Sequence, residues 1–461
     1  MIKHIMATTI VWGAVVATFP LYAQQQQEHA LGSLWLKVEE NYVGINAKTA
    51  SVDAAKLHER AVKSNMLPQI KAQVQNTYGT YEGSSGGFFP QAGFFNVSGS
   101  TAGLDGSSIA ASTFGSAIAE WEVFSFGKLH KQKEAAGALY DKSLNEKDAY
   151  LLNLKKMLSE RYIVFLYNNA KLNWTEKNAE RLNDIRKITS GLSASGLRPV
   201  ADSLLASSSY VQAMGEYDKW SGFKNASFIK LLELYGDETI DYTTSVERFS
   251  NPSAMNLNSE NAINPSHPIL NTLDKQSKYY TLSGQAQKRA SLPSVSILGG
   301  YAHRGTGISP NGTVSGAWKD GFSNTTNNFL AGIGITWNIT SLHTNRMKGE
   351  QLFKEAESIK LLQTQYEQTM QADLSASKTK IVQQYEQLQK TRLAVQQSQD
   401  AYEMYLARYK SGLIALSELL QIRALLEQAE NTHIAASRDY WVLLAYEAEL
   451  TANFDFLFNN L

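Results

Sequence analysis

The sequence predicts a mainly α-helical protein with a smaller β part, built from two copies of one unit that runs helix, strand, strand, long helix, helix. Two observations predict this. Residues 121 to 196 are written again at 337 to 412: AEWEVFSFGKLHKQK around Trp121 answers ITWNITSLHTNRMK around Trp337, and SGLRPVADSLLASSSYVQA at Gly196 answers SGLIALSELLQIRALLEQA at Gly412, both pairs 216 positions apart. A repeat whose long middle accepts no insertion is a rigid body of fixed length, most simply one helix reaching a fixed plane. The second observation is the scarcity of proline. Only nine are present, none between Pro90 and Pro199 or after Pro310, so two long stretches lack the strongest helix breaker.

The opening residues 1–23, MIKHIMATTIVWGAVVATFPLYA, place Lys3 before an apolar run from Ile5 to Phe19 and end on the small Ala23. That is the pattern of a secretory signal cleaved after Ala23. The run is shorter than the roughly 18 apolar residues a retained spanning helix needs.

The first structural repeat is expected over 24–236, with strands at 69–81 and 110–125 and long helices over 127–235. A helical stretch from Leu31 to Asn65 ends at Leu67-Pro68, because the residue before proline is steered out of the α region. Then Ile70, Ala72 and Val74 alternate with Gln69, Lys71, Gln73 and Gln75, the period of a strand with one apolar and one wet face. The returning strand places Ala117, Ala119, Trp121 and Val123 on one face, with Ser116, Ile118, Glu120 and Glu122 on the other. From Ala138 to Ser190 there is neither glycine nor proline, and Leu151, Leu154, Leu158, Phe165 and Leu172 keep the 3,4 spacing of a coiled-coil seam, interrupted by Arg161 and Asn168. A linker rich in Asn, Ser and Thr follows at 237–266.

The second repeat is expected over 267–455, with strands at 294–303 and 328–340, long helices over 344–452, and a tail at 456–461. Leu292-Pro293 repeats the helix stop, and Ala331, Ile333, Ile335, Trp337 and Ile339 repeat the apolar alternation. Its seam runs through Ile381, Tyr385, Leu388, Val395, Tyr402, Leu406 and Tyr409, interrupted by Arg392 and Gln399. The loops between strands escape the constraint, since Leu67 to Trp121 is 54 positions and Leu292 to Trp337 is 45. In a soluble sandwich the apolar strand face would be core; in an outer-membrane barrel it would meet lipid, with tryptophan in the interfacial girdle. The strands alone leave both open.

Composition excludes several function classes. Lys+Arg and Asp+Glu both total 43, so there is no basic excess for nucleic acid. The absence of cysteine removes disulfides, thiolate metal sites and lipid attachment through cysteine. There is no HExxH and no GxxxxGK[ST]. The string Gly83 to Gly87 fits GxSxG around Ser85, but it lies in a glycine-rich loop without the strand-to-helix turn of a nucleophile elbow. No catalytic residue, metal site or cofactor is expected.

Two copies of helix, Leu-Pro, strand, loop, Trp-bearing strand, long helix, Gly-Leu turn and a second helix of A-D-S-L-L or S-E-L-L type resemble the TolC family of outer-membrane efflux proteins, over about Leu31 to Phe454. The resemblance implies a homotrimer in which four strands per subunit make a twelve-stranded outer-membrane β-barrel, continued by an α-helical barrel across the periplasm. It implies the exit duct of a multicomponent efflux pump or type I secretion system, with a periplasmic adaptor protein and an inner-membrane transporter as partners. Carried over by position, Gly196, Leu197, Gly412 and Leu413 would form the adaptor-docking tip. Glu418 and Gln421 would line the pore constriction. Tyr409, Asp202 and Arg198 would form a tip latch, and Trp121 and Trp337 the membrane-interface girdle. A periplasmic coiled-coil scaffold with a small β domain and no pore is the alternative.

Overall fold

The computed structural model describes residues 30–80, 105–236, 242–254 and 263–461. The expected signal segment, the string at Gly83 to Gly87 and parts of the linker 237–266 lie outside the described residues.

In chain order the elements are α1 (Ala30–Asn41), α2 (Val43–Ser64), β1 (Gln69–Thr80), β2 (Asp105–Gly106), β3 (Ile109–Phe124), α3 (Lys128–Ala194), α4 (Val200–Tyr235) and α5 (Thr243–Ser250). The second half holds α6 (Pro268–Arg289), β4 (Ser294–Thr306), β5 (Thr313–Val314), a 3-10 turn (Trp318–Phe322), β6 (Thr326–Thr336), α7 (Ser341–Lys410), α8 (Leu416–Thr451) and α9 (Asp455–Asn460). With 67 and 70 residues, α3 and α7 are each about 100 Å long. Neither can bury itself in an ordinary globule, so each packs along a shorter partner: α3 against α4, α7 against α8, with α6 bridging the two long helices.

The four long strands make one antiparallel sheet in the order β1-β3-β4-β6, so β3–β4 pairing joins the two copies and β1 and β6 are free edges. Register stacks the apolar positions in rows. Trp121 opposes Ile297, which opposes Ile333; Ala119, Gly299 and Ala331 line up with Ile70; Ala117, Tyr301 and Phe329 line up with Ala72. This face is solvent-exposed in the protomer: Val74 is 84%, Ile333 77% and Phe329 87% accessible. The opposite face carries Lys71, Gln73, Glu120, Ser116 and Asn328. Among the described residues no second sheet of the protomer covers this apolar face, as a sandwich within one chain would require.

The hydrophobic core sits at the waist of the helices. Leu31, Leu34, Trp35 and Val38 of α1 meet Leu158, Tyr162 and Phe165 of α3, Tyr440, Trp441 and Leu444 of α8, and the C-terminal Leu457 and Leu461. The part of the linker that forms α5 straps this core: the Trp441 indole donates to the Phe249 carbonyl at 3.1 Å, the Tyr440 hydroxyl to Ser253 at 3.1 Å, and Ser245 to Leu461.

Two local differences from the sequence reading have physical reasons. The helix expected from Leu31 to Asn65 breaks at Tyr42, which is extended at φ −72°, ψ 115°. The break lets α1 enter the waist core while α2 runs along α3. The strand expected to reach residue 340 stops at Thr336. There the Asn338 side chain accepts the Ser341 N–H at 3.2 Å and starts α7, a local hydrogen bond that competes with the sheet ladder.

Candidate functional site at the paired tip turns and the sheet face

Helices α4 and α8 are both 36 residues long and begin 216 positions apart. The turns that lead into them match bond for bond. In the first, Leu197 N–H donates to Leu192 O at 2.9 Å and Gly196 N–H to Ser193 O at 3.0 Å; in the second, Leu413 donates to Arg408 O at 3.0 Å and Gly412 to Tyr409 O at 2.9 Å. This is the paired 6→1 and 5→2 bonding of a Schellman C-cap. Gly196 has φ +72° and Gly412 φ +77°, and a Cβ on either would meet nothing within 4 Å. Glycine is therefore needed for its backbone freedom, not for space. The hydrophobic contact usual to this cap leaves most of each leucine out, since Leu197 and Leu413 are both 71% exposed.

Around identical backbones the side chains diverge. The second turn folds inward, with Ile414, Leu416 and Leu419 buried beside Ile185, Ala206, Tyr402 and Tyr409. The first turn folds outward, leaving Val200 and Leu204 each 67% exposed. Arg198 ties the two together. Its guanidinium donates to the Ile414 carbonyl at 2.7 Å and the Gly412 carbonyl at 3.4 Å, and lies 5.5 Å from the Tyr409 ring centroid.

Of the proposed latch residues, Arg198 lies against the Tyr409 ring, and Asp202 makes no hydrogen bond to either within the protomer. The Tyr409 hydroxyl lies 3.1 Å from Thr189 Oγ1, and Thr189 gives its own proton to the Ile185 carbonyl at 2.7 Å, so Tyr409 is the donor. Both side chains are fully buried. A threonine hydroxyl satisfies the buried phenol without the cost of bringing a carboxylate into that core. Asp202 occupies the first turn of α4, where negative charge suits the helix N-terminus. Glu418 holds the matching place on α8: exposed, with Oε1 accepting the Ala415 N–H at 3.4 Å. Gln421 is also exposed.

At the other end of the helices, both tryptophans are pinned to the protein. Trp121 Nε1 donates to Met66 O at 2.9 Å and Trp337 Nε1 to Ser291 O at 3.0 Å. Each acceptor is the residue before a Leu-Pro pair, so the same bond closes the same turn in both copies. Trp337 sits just past β6 and not within it.

Several polar contacts were not singled out from sequence. Arg181 grips Glu430 with two bonds of 2.8 and 2.6 Å and reaches Gln399 at 3.2 Å. Lys171, 4% exposed, hydrogen-bonds to Asn431 inside a cage of Trp174 (4.6 Å), Trp220 (5.1 Å) and Tyr167 (5.7 Å). Burial, and then Arg438 nearby, bring its pKa down to about 8. Tyr167 and Trp174 flank Lys171 at helical spacing, a signal legible in the sequence; Trp220 and Asn431 are not.

Among the described residues no helix is long and apolar enough to cross a membrane and no cluster of potential metal ligands occurs.

Residues 283–443 match the family described as outer membrane efflux protein. No curated protein matches the chain. Solved structures do. The outer membrane protein VceC of Vibrio cholerae superposes with a TM-score of 0.73 at 12% identity, covering 93% of this chain and 98% of that one. The CmeC outer membrane channel of Campylobacter jejuni gives 0.73 at 12% identity over 97% and 94%. The open state of the MtrE outer membrane channel of Neisseria gonorrhoeae gives 0.70 at 15% identity over 92% and 89%. The matching segment lies across β4, β6, α7 and most of α8, and the chain shares the fold of such outer-membrane channels over nearly their whole length.

Proposed function

We propose that three copies of this chain close into a twelve-stranded barrel in the outer membrane, continued by a helical tube, and act as the exit duct of a multicomponent efflux pump or type I secretion system. One observation carries the reading: a four-stranded sheet with two free edges and an exposed apolar face stands on helices whose two tip turns lie at matched positions. Four strands leave edges that only association with further copies removes, and a cyclic arrangement removes all of them.

In that assembly six Gly-Leu turns form one rim, whose exposed Leu197 and Leu413 offer apolar contacts to a periplasmic adaptor. An inner-membrane transporter, reached through the adaptor, supplies the energy. Glu418 and Gln421 face the narrowing lumen, three like charges at Glu418 favouring cations. Arg198 and Tyr409 hold the two hairpins of one subunit in register, which sets how far one can swing relative to the other. Trp121 and Trp337 mark the periplasmic-side interface of the outer membrane.

Conductance of the purified protein in planar bilayers tests the reading. Discrete channels are expected, and a scaffold without a pore gives none. Within the channel, Glu418→Ala is expected to lower cation over anion preference; unchanged reversal potentials in a salt gradient remove Glu418 from the constriction.

A further inference from the structure

The apolar face of the sheet is too short for a bilayer. Its unbroken apolar rows run from Val295 to Tyr301 on β4, about 20 Å along the strand, or about 15 Å along the membrane normal at a tilt of roughly 40°. Outer-membrane barrels present an apolar band about 25 Å tall. Above Tyr301 the same face becomes mostly polar: His303 and Asn327 share a row with Gly115 and Val74, and Thr113 and Asn76 follow in the next. The polar groups are paired with each other: Asn76 donates to Thr113 at 2.6 Å, and His303 Nδ1 lies 2.8 Å from Asn327 Oδ1.

The connection between β4 and β6 folds back over this face. A Cβ on Gly305 would lie 2.6 Å from the Gly321 carbonyl, and one on Gly321 would lie 2.8 Å from Ala111 Cβ. Tyr78 donates to the Gly316 carbonyl at 2.8 Å, and its ring sits 6.0 Å from that of Trp318. Gly305, Ala111 and Tyr78 all belong to the apolar-face parity, so the turn rests on the outside of the sheet. It is held there by Thr306 N–H to Ser323 O at 2.8 Å and by Ser315 Oγ to Asp320 at 2.5 Å. Trp318 is nevertheless 53% and Phe322 59% exposed.

We infer that residues 307–325 form an outer-leaflet anchor: the folded-back turn supplies the upper aromatic edge of the lipid-facing surface, with Trp318 and Phe322 at the level of the lipid headgroups. The height agrees. Tyr78 opposes Ala111, whose carbonyl accepts the Gly307 N–H, so the Trp121 row at Ile297 and the Tyr78 row are ten residues apart on β4. That is about 33 Å along the strand and about 25 Å along the normal at the same tilt. The occupant is lipid because the turn's aromatics continue the apolar face at the distance where a second aromatic girdle belongs. The inference rests on the channel reading, and its test keeps the two apart.

The full-length protein is reconstituted in bilayers of phosphatidylcholine brominated either near the headgroup or near the chain end. Tryptophan fluorescence is compared between wild type and Trp318→Phe, a substitution that keeps an aromatic ring on Tyr78. The difference signal is expected to be quenched by bromine near the headgroup and less by bromine near the chain end. A Trp318 signal untouched by bromine while the Trp337→Phe difference signal is quenched overturns the anchor and leaves the channel standing, whether iodide in the water then quenches it (an exposed loop) or not (a neighbouring subunit covers it). Absence of lipid quenching at both positions removes the barrel and the anchor together.

Discussion

The two hairpins at the tip share a backbone and differ in nearly everything attached to it. Gly196 and Gly412 adopt the same left-handed conformation, and the same four carbonyls and N–H groups close both turns. Yet Val200 is 67% exposed, whereas its counterpart Leu416 is 2% exposed. Arg198 reaches across to the second turn, and its counterpart Ile414 is buried beneath it. Further along, Lys171 is buried where the second copy exposes Gln387. Duplication conserves what length and glycine specify, the depth and shape of the turn. Burial is set by which neighbours each copy meets, and that divides the hairpins into an outward-facing and an inward-facing one.

The largest expected effect tests that division. Leu416→Ala empties part of the tip core and should cost about 2–4 kcal/mol, whereas Val200→Ala should stay within about 0.5 kcal/mol, both read from thermal or denaturant unfolding. Equal costs would mean that the hairpins are buried alike. The lysine asymmetry should follow as a pH effect on the order of 2 kcal/mol. Folding lowers the Lys171 pKa from its ordinary value of 10.5 to about 8, so between those values the unfolded chain binds more protons and stability rises with pH. Below pH 8 the protein carries the full cost of a buried charge. The wild type should therefore gain stability relative to Lys171→Met on going from pH 7 to pH 10, while Gln387→Met against wild type shows no such trend. The smallest effect tests the shared backbone: Gly196→Ala and Gly412→Ala should each cost about 1–2 kcal/mol, by equal amounts, and asparagine at either place should cost less. A large difference between the two would show that neighbouring side chains, and not the turn itself, govern these positions.

Much of the fold was legible because it rests on local rules. The alternation of Ile70, Ala72 and Val74, the Leu-Pro stops and the absence of glycine and proline from Ala138 to Ser190 each act within a few residues, and the strands and long helices follow them. The break at Tyr42 had only a weak local signal, the poor helix formers Asn41, Val43 and Gly44 around it; the waist core and α3, which take the two halves in different directions, decide it. The latch was legible only as a set of candidates. Tyr409 could be placed near the tip, but its partner Thr189 is 220 positions away and matches no repeat signal. The folded-back turn at Trp318 was hidden for a related reason, because glycine-rich composition marks a loop without saying on which face of the sheet it lies.

By itself the sequence determined the periodicities, the helix ends and the equal spacing of the two Gly-Leu turns, because these depend on backbone sterics and on distance along the chain. Only the tertiary structure decided that Leu416 is core while Val200 is surface, that Arg198 bridges the turns, and that the apolar strand face is uncovered. Each of those depends on which residues, hundreds of positions apart, come within a few ångströms, and burial and hydrogen bonding act at that range alone.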